Sequence, residues 1–370
     1  MNRILIILFL TGIIFVRYIV LISNINRALI LRNPIYGHVT KIFSNKKLLI
    51  FNSRLGYILI NNCPHVDMYD KVLVFDIYKT YRFWKQQGIY LQSNSCLKAV
   101  DKKYNLWYVL RYFYNLKRRL FNNFNLYTDK TISGLILAML FGSVLFLEQN
   151  TYNMFKNLSL MHVLVVSGYN IQLVLDKLSN FLQYKVVFSI RKLIMAVVSL
   201  IFILGVGISP PVVRASVSSF LKNILDIIGI KFNQMIILIL TVFVILLWNI
   251  SWLFSLSFYL SILATIGVFL GGWLANKFQI TQDFVKDIII TLCVTCITAP
   301  LLILKLHTHV SFKGIFANII LLPYIELVTY AGYMLLPFLL LHIGQKIYLF
   351  ILSNMLNVLL FLMSLVISLF

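Results

Sequence analysis

Apolar residues are distributed along this chain in two patterns. Long apolar runs occupy Ile4 to Ile22 and then 158–175, 186–208, 212–229, 234–250, 253–274, 288–304, 314–340 and 346–370. Runs of about 18 or more predominantly apolar residues predict membrane-crossing helices, which gives a first anchor and eight further candidate spans. Between 34 and 104 the pattern shortens. Lys47 to Asn52, Tyr57 to Asn61 and Lys71 to Ile77 are β-rich stretches bounded by Asn, Ser, Gly, Pro and Asp. They predict a small β domain in which about five short strands form a compact barrel of the OB type, with a sandwich fragment left open.

Two stretches fit neither pattern. Asn105 to Phe124 interleaves Trp107, Tyr108, Leu110, Phe113 and Leu116 with Arg111, Lys117, Arg118 and Arg119, which predicts a basic amphipathic helix at the membrane surface. Ile132 to Leu147 is apolar but short for a span and carries Ser133, Gly134, Gly142 and Ser143, so it is read as re-entrant or lying against the bundle. The fold class is therefore a polytopic α-helical membrane protein with a small N-terminal extracytoplasmic β domain. Its expected divisions are an anchor (1–33), an OB-like domain (34–104), amphipathic and re-entrant helices (105–157) and a membrane channel domain (158–370).

The run 158–175 is interrupted by His162, Ser167, Gly168 and Asn170. Polar residues and Gly at membrane depth mark either a close helix contact or a discontinuous helix that faces a water-filled path. Ser167 and His162 also invite a nucleophile-and-base reading, but five residues of helix turn them about 140° apart. Two further ionisable residues in apolar runs, Arg214 after Pro210-Pro211 and Glu326 after Pro323, demand partners or water.

Composition sharpens this picture. Hydrophobic residues make up 60% and mean hydropathy is +0.89, while 33 Lys+Arg against 11 Asp+Glu leave a net charge of +22. Basic loops suit cytoplasmic orientation, anionic lipid or a polyanion. With residues 34–130 outside, eight basic residues (Lys177, Lys185, Arg191, Lys192, Lys231, Lys277, Lys286 and Lys346) fall inside against Arg214, Lys305 and Lys313 outside. Of the four Cys, Cys63 and Cys96 lie on the same, oxidising side, so either a disulfide or two buried thiols is open. His307 and His309 read as solvated loop residues.

Leu160-Met161-His162-Val163-Leu164-Val165-Val166-Ser167-Gly168-Tyr169-Asn170-Ile171 resembles the H-L-L-A-I-S-G-x-H/N-I signature of the ComEC family of DNA-uptake channels, with Tyr169-Asn170 where many members carry Leu-His. Ser209-Pro210-Pro211-Val212-Val213-Arg214-Ala215 is similar to the family's S-x-x-R-A element. Leu253-Phe254-Ser255-Leu256-Ser257-Phe258 is similar to its F-Q-L-S-F, with Ser255 replacing Gln, and Ala299-Pro300, Phe316-Ala317-Asn318 and Leu322-Pro323 to its P-L-L…L-A-N-x-x-x-x-P ending. Many members continue into a metallo-β-lactamase-like domain. This sequence ends at Phe370 without an H-x-H-x-D-H cluster, so no enzyme, no metal and no cofactor are expected.

The resemblance implies transport of single-stranded DNA across the cytoplasmic membrane during natural transformation. A small-solute transporter and a non-conducting scaffold that presents the external β domain are the alternatives. The path-lining residues are expected to be His162, Ser167, Gly168, Asn170, Ser209, Arg214, Ser255, Ser257, Asn318 and Glu326, and Lys102, Lys103, Arg111, Lys117, Arg118 and Arg119 to contact DNA phosphates. Expected partners are single-stranded DNA, membrane lipids, an external DNA receptor and cytoplasmic helicase or single-strand-binding proteins, with a homo-oligomer left open.

Overall fold

A computed structural model describes residues 12–25, 35–42, 47–53, 55–61, 63, 66–75, 77–79, 89–93, 95–99, 106–164, 168–306, 312–340 and 344–369. Its first helix, α1, covers Gly12–Ile25. Seven strands follow: β1 (Ile35–Ile42), β2 (Leu48–Asn52), β3 (Gly56–Ile60), β4 (Lys71–Phe75), β5 (Tyr78–Lys79), β6 (Ile89–Ser93) and β7 (Ser95–Lys98). They form one sheet in the order β5-β6-β3-β2-β1-β4-β7. β1, β2 and β3 are an antiparallel meander, β4 pairs with β1, and β6 runs parallel to β3. β7 pairs with β4 but is one residue away from β6 in the chain. A single bent run therefore joins the two sides of the sheet, and the sheet curls into an OB-like form. Alternate residues Val39, Leu48, Ile50, Ile58, Ile60, Val72 and Val74 are buried, as the two-residue strand period requires. Cys63 and Cys96 are joined by a disulfide with Cα atoms 5.5 Å apart, which ties the end of β3 to β7.

The remainder is helical: α2 (Leu106–Phe124), α3 (Lys130–Phe141), α4 (Gln149–Asn157), α5 (Met161–Leu164), α6 (Gly168–Leu182), α7 (Phe188–Val206), α8 (Pro210–Ile228), α9 (Gln234–Trp248), α10 (Leu256–Lys277), α11 (Asp283–Leu306), α12 (Phe312–Leu340) and α13 (Gln345–Leu369). Among the described residues four segments are long and apolar enough to cross a membrane: Phe188–Val206, Leu256–Lys277, Val285–Leu304 and Gln345–Ser368. The chain is a polytopic helical membrane protein with a small N-terminal β domain. Within α10, Gly267 and Gly271 sit against the Val294 and Ile290 backbone of α11, and this close approach sets the α10–α11 pair.

α3 is the hub of the largest apolar cluster. Every residue from Ile132 to Leu140 is buried, against α5, α12 and α13. A helix that is apolar on all sides belongs inside a bundle, and its 12 residues reach only about 18 Å, short of a bilayer core. The chain then doubles back through a short 3-10 turn at Val144–Phe146. Glu148 returns to the start of α3, where its Oε2 accepts from Thr131 Oγ1 at 2.6 Å.

One detail of the charge-based topology is corrected. It separates Lys346 from residues 34–130, yet the Lys346 ammonium lies 5.9 Å from the Tyr127 ring centroid. The two belong to the same end of the molecule, and the count of loop charges could not register an attraction between a lysine and a ring 219 positions apart.

Candidate functional site

Among the contacts between the β domain and the helices, three groups bear on the site. Gly56, at φ +75°, turns β2 into β3, and a Cβ there would meet Ser251. Next to it, Trp252 Nε1 donates to the Tyr57 hydroxyl at 2.7 Å. On α2, Trp107 stacks on His38 of β1 with ring centroids 4.8 Å apart. Arg111 and Lys98 both pair with the fully buried Asp70, at 3.1 and 2.6 Å. The third place is Gly207, where a Cβ would meet the Tyr69 hydroxyl.

Lys117 lies between these contacts and the bundle. Its side chain is buried, and its ammonium donates to Val206 O at 2.9 Å and to Phe141 O at 3.5 Å. These are the last carbonyls of α7 and α3, which have no intrahelical donor and carry the negative ends of the helix dipoles. Burial nevertheless pushes the Lys117 pKa down to about 7. The carbonyls before Phe141 are capped as well: Asn170 Nδ2 donates to Met139 O at 3.4 Å and the Tyr333 hydroxyl to Leu140 O at 2.8 Å. Three side chains from α2, α6 and α12 thus satisfy three successive carbonyls at the end of α3.

Placing the expected DNA contacts gives a mixed result. Arg119 is exposed on α2. Arg118 is also exposed but lies 3.8 Å from Asp67, and Arg111 is committed to Asp70. Lys117 is a correction: a buried ammonium bound to two helix ends is not presented to a strand outside the protein. The helical spacing that marked it as basic and surface-facing did not show that a second layer of helices covers that face. Lys102 and Lys103 lie outside the described residues.

Of the expected path residues, Ser167 and the side chain of His162 lie outside the described set, as do His307 and His309. The described parts of α5 and α6 lie on either side of 165–167. Gly168 and Arg214 are brought together: a Cβ on Gly168 would sit 2.9 Å from an Arg214 terminal nitrogen. Arg214 Nε donates to Ser261 Oγ at 2.7 Å. Ser261 was not singled out in the sequence, although Ser257, Ser261 and Thr265 fall four residues apart and so share one face of α10. Ser255 and Ser257 open α10 with their hydroxyls 2.9 Å apart, close in sequence to the Trp252 contact with the β domain. Ser209 holds the N-cap position of α8 in extended conformation without a side-chain capping bond, five residues before Arg214, and Pro210-Pro211 occupy the first turn, where missing amide donors cost nothing. The exposed Ser257 and the Arg214-bound Ser261 therefore share one face of α10.

Asn170 faces α3 instead, through its bond to Met139 O. The Asn318 Oδ1 atom is buried without a hydrogen-bond partner. Glu326 is exposed on α12, one turn from Tyr330, whose ring lies 4.6 Å from the Lys177 ammonium. Arg214 is bound to Ser261 rather than to Glu326. Among the described residues no group of three or more His, Cys, Asp or Glu could hold a metal ion.

Comparison with known proteins adds one match. The family model described as Competence protein matches residues 139–370, more than half of the chain and all of the helices from α4 onward. No curated protein and no solved structure shows a match.

Proposed function

We propose, from the premise that this chain belongs to the Competence protein family and serves DNA uptake, that its helices carry single-stranded DNA across the cytoplasmic membrane during natural transformation. The observation that supports this reading is Arg214, partly buried in an apolar bundle. A basic group bound to Ser261, on a helix face that continues to the exposed Ser257, suits the passage of a polyanion better than it suits a passive scaffold.

In this reading the β domain lies outside, where its disulfide is chemically stable. Arg119, together with Lys102 and Lys103, meets the arriving strand by phosphate contact, while Arg111 and Lys117 hold the β domain to the bundle. The segments 1–33, 34–104, 105–157 and 158–370 act as anchor, external domain, connecting helices and conduit. A receptor for external DNA and cytoplasmic helicase or single-strand-binding proteins complete the route.

The test is transformation frequency in a strain deleted for this chain and complemented with it. Restored transformation, with unchanged accumulation of small solutes, is the expected result. Normal transformation in the deletion strain would remove the reading.

A further inference from the structure

Arg214 sits among Val212, Val213 and Ala215, all buried, and is itself partly buried. Among the described residues none of the ion pairs includes it. Among the described residues its one hydrogen-bond partner is a neutral hydroxyl, Ser261, which takes Nε and leaves the two terminal amino groups for another acceptor. A guanidinium withdrawn from water without a counter-charge is costly. One of those amino groups packs against Gly168 of α6, which leaves no Cβ to hold the guanidinium away. An oxyanion bridging the two amino groups supplies the missing counter-charge.

We propose that Ser261 is a positioning residue that aims the free amino groups of Arg214 at the Gly168 end of α6, forming a receptor for a single phosphate group. The ligand chemistry is a phosphate with two oxygens available to the fork of the guanidinium, supplied either by one phosphodiester of a DNA strand or by free phosphate. Only the choice of the strand rests on the function proposed above. The hydroxyl fixes the rotation of the guanidinium plane, which decides whether both amino groups reach one phosphate or only one does.

The experiment uses the full chain in detergent at constant ionic strength, with chloride replaced stepwise by inorganic phosphate. Thermal unfolding of the unaltered protein is expected to rise by roughly 3 °C at saturation. Ser261→Ala should lose most of that rise, Ser261→Thr should keep it, and Arg214→Gln should abolish it. The Ala and Thr pair keeps the test decisive if Arg214→Gln fails to insert. An equal rise in the unaltered protein and Ser261→Ala, or no rise in the unaltered protein, overturns the receptor. A parallel arm measures binding of a short oligothymidine across a salt series, where loss of one phosphate contact lowers the log–log slope by about 0.7. A phosphate response without oligothymidine binding keeps the receptor, assigns it to free phosphate and counts against the DNA path. Oligothymidine binding with an unaltered slope in Ser261→Ala and no phosphate response leaves the DNA path standing and removes the receptor.

Discussion

The Lys117 ammonium donates to the carbonyl oxygen of Val206 across 89 positions of sequence, at 2.9 Å. One buried cation thereby closes the end of α7 and, through Phe141, the end of α3. With its pKa pushed down to about 7 by burial, Lys117 is charged in both folded and unfolded chains below that value and contributes no pH dependence there. Between about 7 and the ordinary lysine value of 10.5 the unfolded chain holds a proton that the folded chain has released. Stability therefore rises with pH through that window. Unfolding temperatures of the solubilised protein at pH 6, 8 and 9.5 should show the climb, and Lys117→Met should flatten it.

Asp70 is fully buried and holds both Arg111 and Lys98. Asp70→Asn leaves two partly solvated cations facing a neutral group and should cost about 1–2 kcal/mol in chemical denaturation. Arg111→Gln keeps the Lys98 pair and should cost less. Arg119→Gln, on the exposed side of the same helix, should leave stability within about 0.5 kcal/mol while weakening DNA binding. Equal effects of Arg111→Gln and Arg119→Gln on both quantities would contradict this division of labour.

What the sequence could reveal depended on how local each interaction is. Alternation over a few residues located β2, β3 and β4 to within two residues, because strand burial has a two-residue period. The apolar runs located the long helices because a helix that crosses a bilayer needs about 20 consecutive apolar residues. Lys117 was assigned to the surface because its partners Phe141 and Val206 lie far along the chain and leave no periodic trace near it. Ser261 was missed because an isolated serine in an apolar run resembles ordinary helix packing until Arg214 is seen beside it. Gly168 and Arg214 were both singled out, but only the fold could show that they touch.

Tyr127→Cys and Lys346→Cys, made singly, should both react with a membrane-impermeant thiol reagent applied from the same side, as their 5.9 Å contact requires. A reporter fused after Glu148 should report the same side as one fused after Asp129, because Glu148 returns to Thr131. Opposite sides for the first pair would remove the Lys346–Tyr127 contact, and for the second the doubling-back of α3.

Removing the Trp252 donor with Trp252→Phe, the Tyr57 acceptor with Tyr57→Phe, or both, forms a double-mutant cycle across the contact between β domain and bundle. A coupling of about 1 kcal/mol is expected, the usual net worth of one partly buried hydrogen bond. A coupling near zero would mean that the two side chains contribute only through apolar packing.

Without reductant, Cys63 and Cys96 should both resist alkylation after denaturation, whereas Cys293 and Cys296 react. Reduction should cost the β domain roughly 3–4 kcal/mol, the loop-closure value for a separation of 33 residues.

The spacing of the contacts along the chain sets an order of assembly. All seven strands and the Cys63–Cys96 bond lie before residue 99, so the sheet can be complete while the polypeptide is still being made. Its partner in the bundle emerges much later: Trp252 for Tyr57, 195 positions on. Chains generally fold from the N-terminal unit onward during synthesis. The β2–β3 turn at Gly56 and Tyr57 then acts as a finished template against which the Ser251–Trp252 turn is seated. A delay in oxidation of the cysteines would be felt first as misplaced helices rather than as an unfolded sheet.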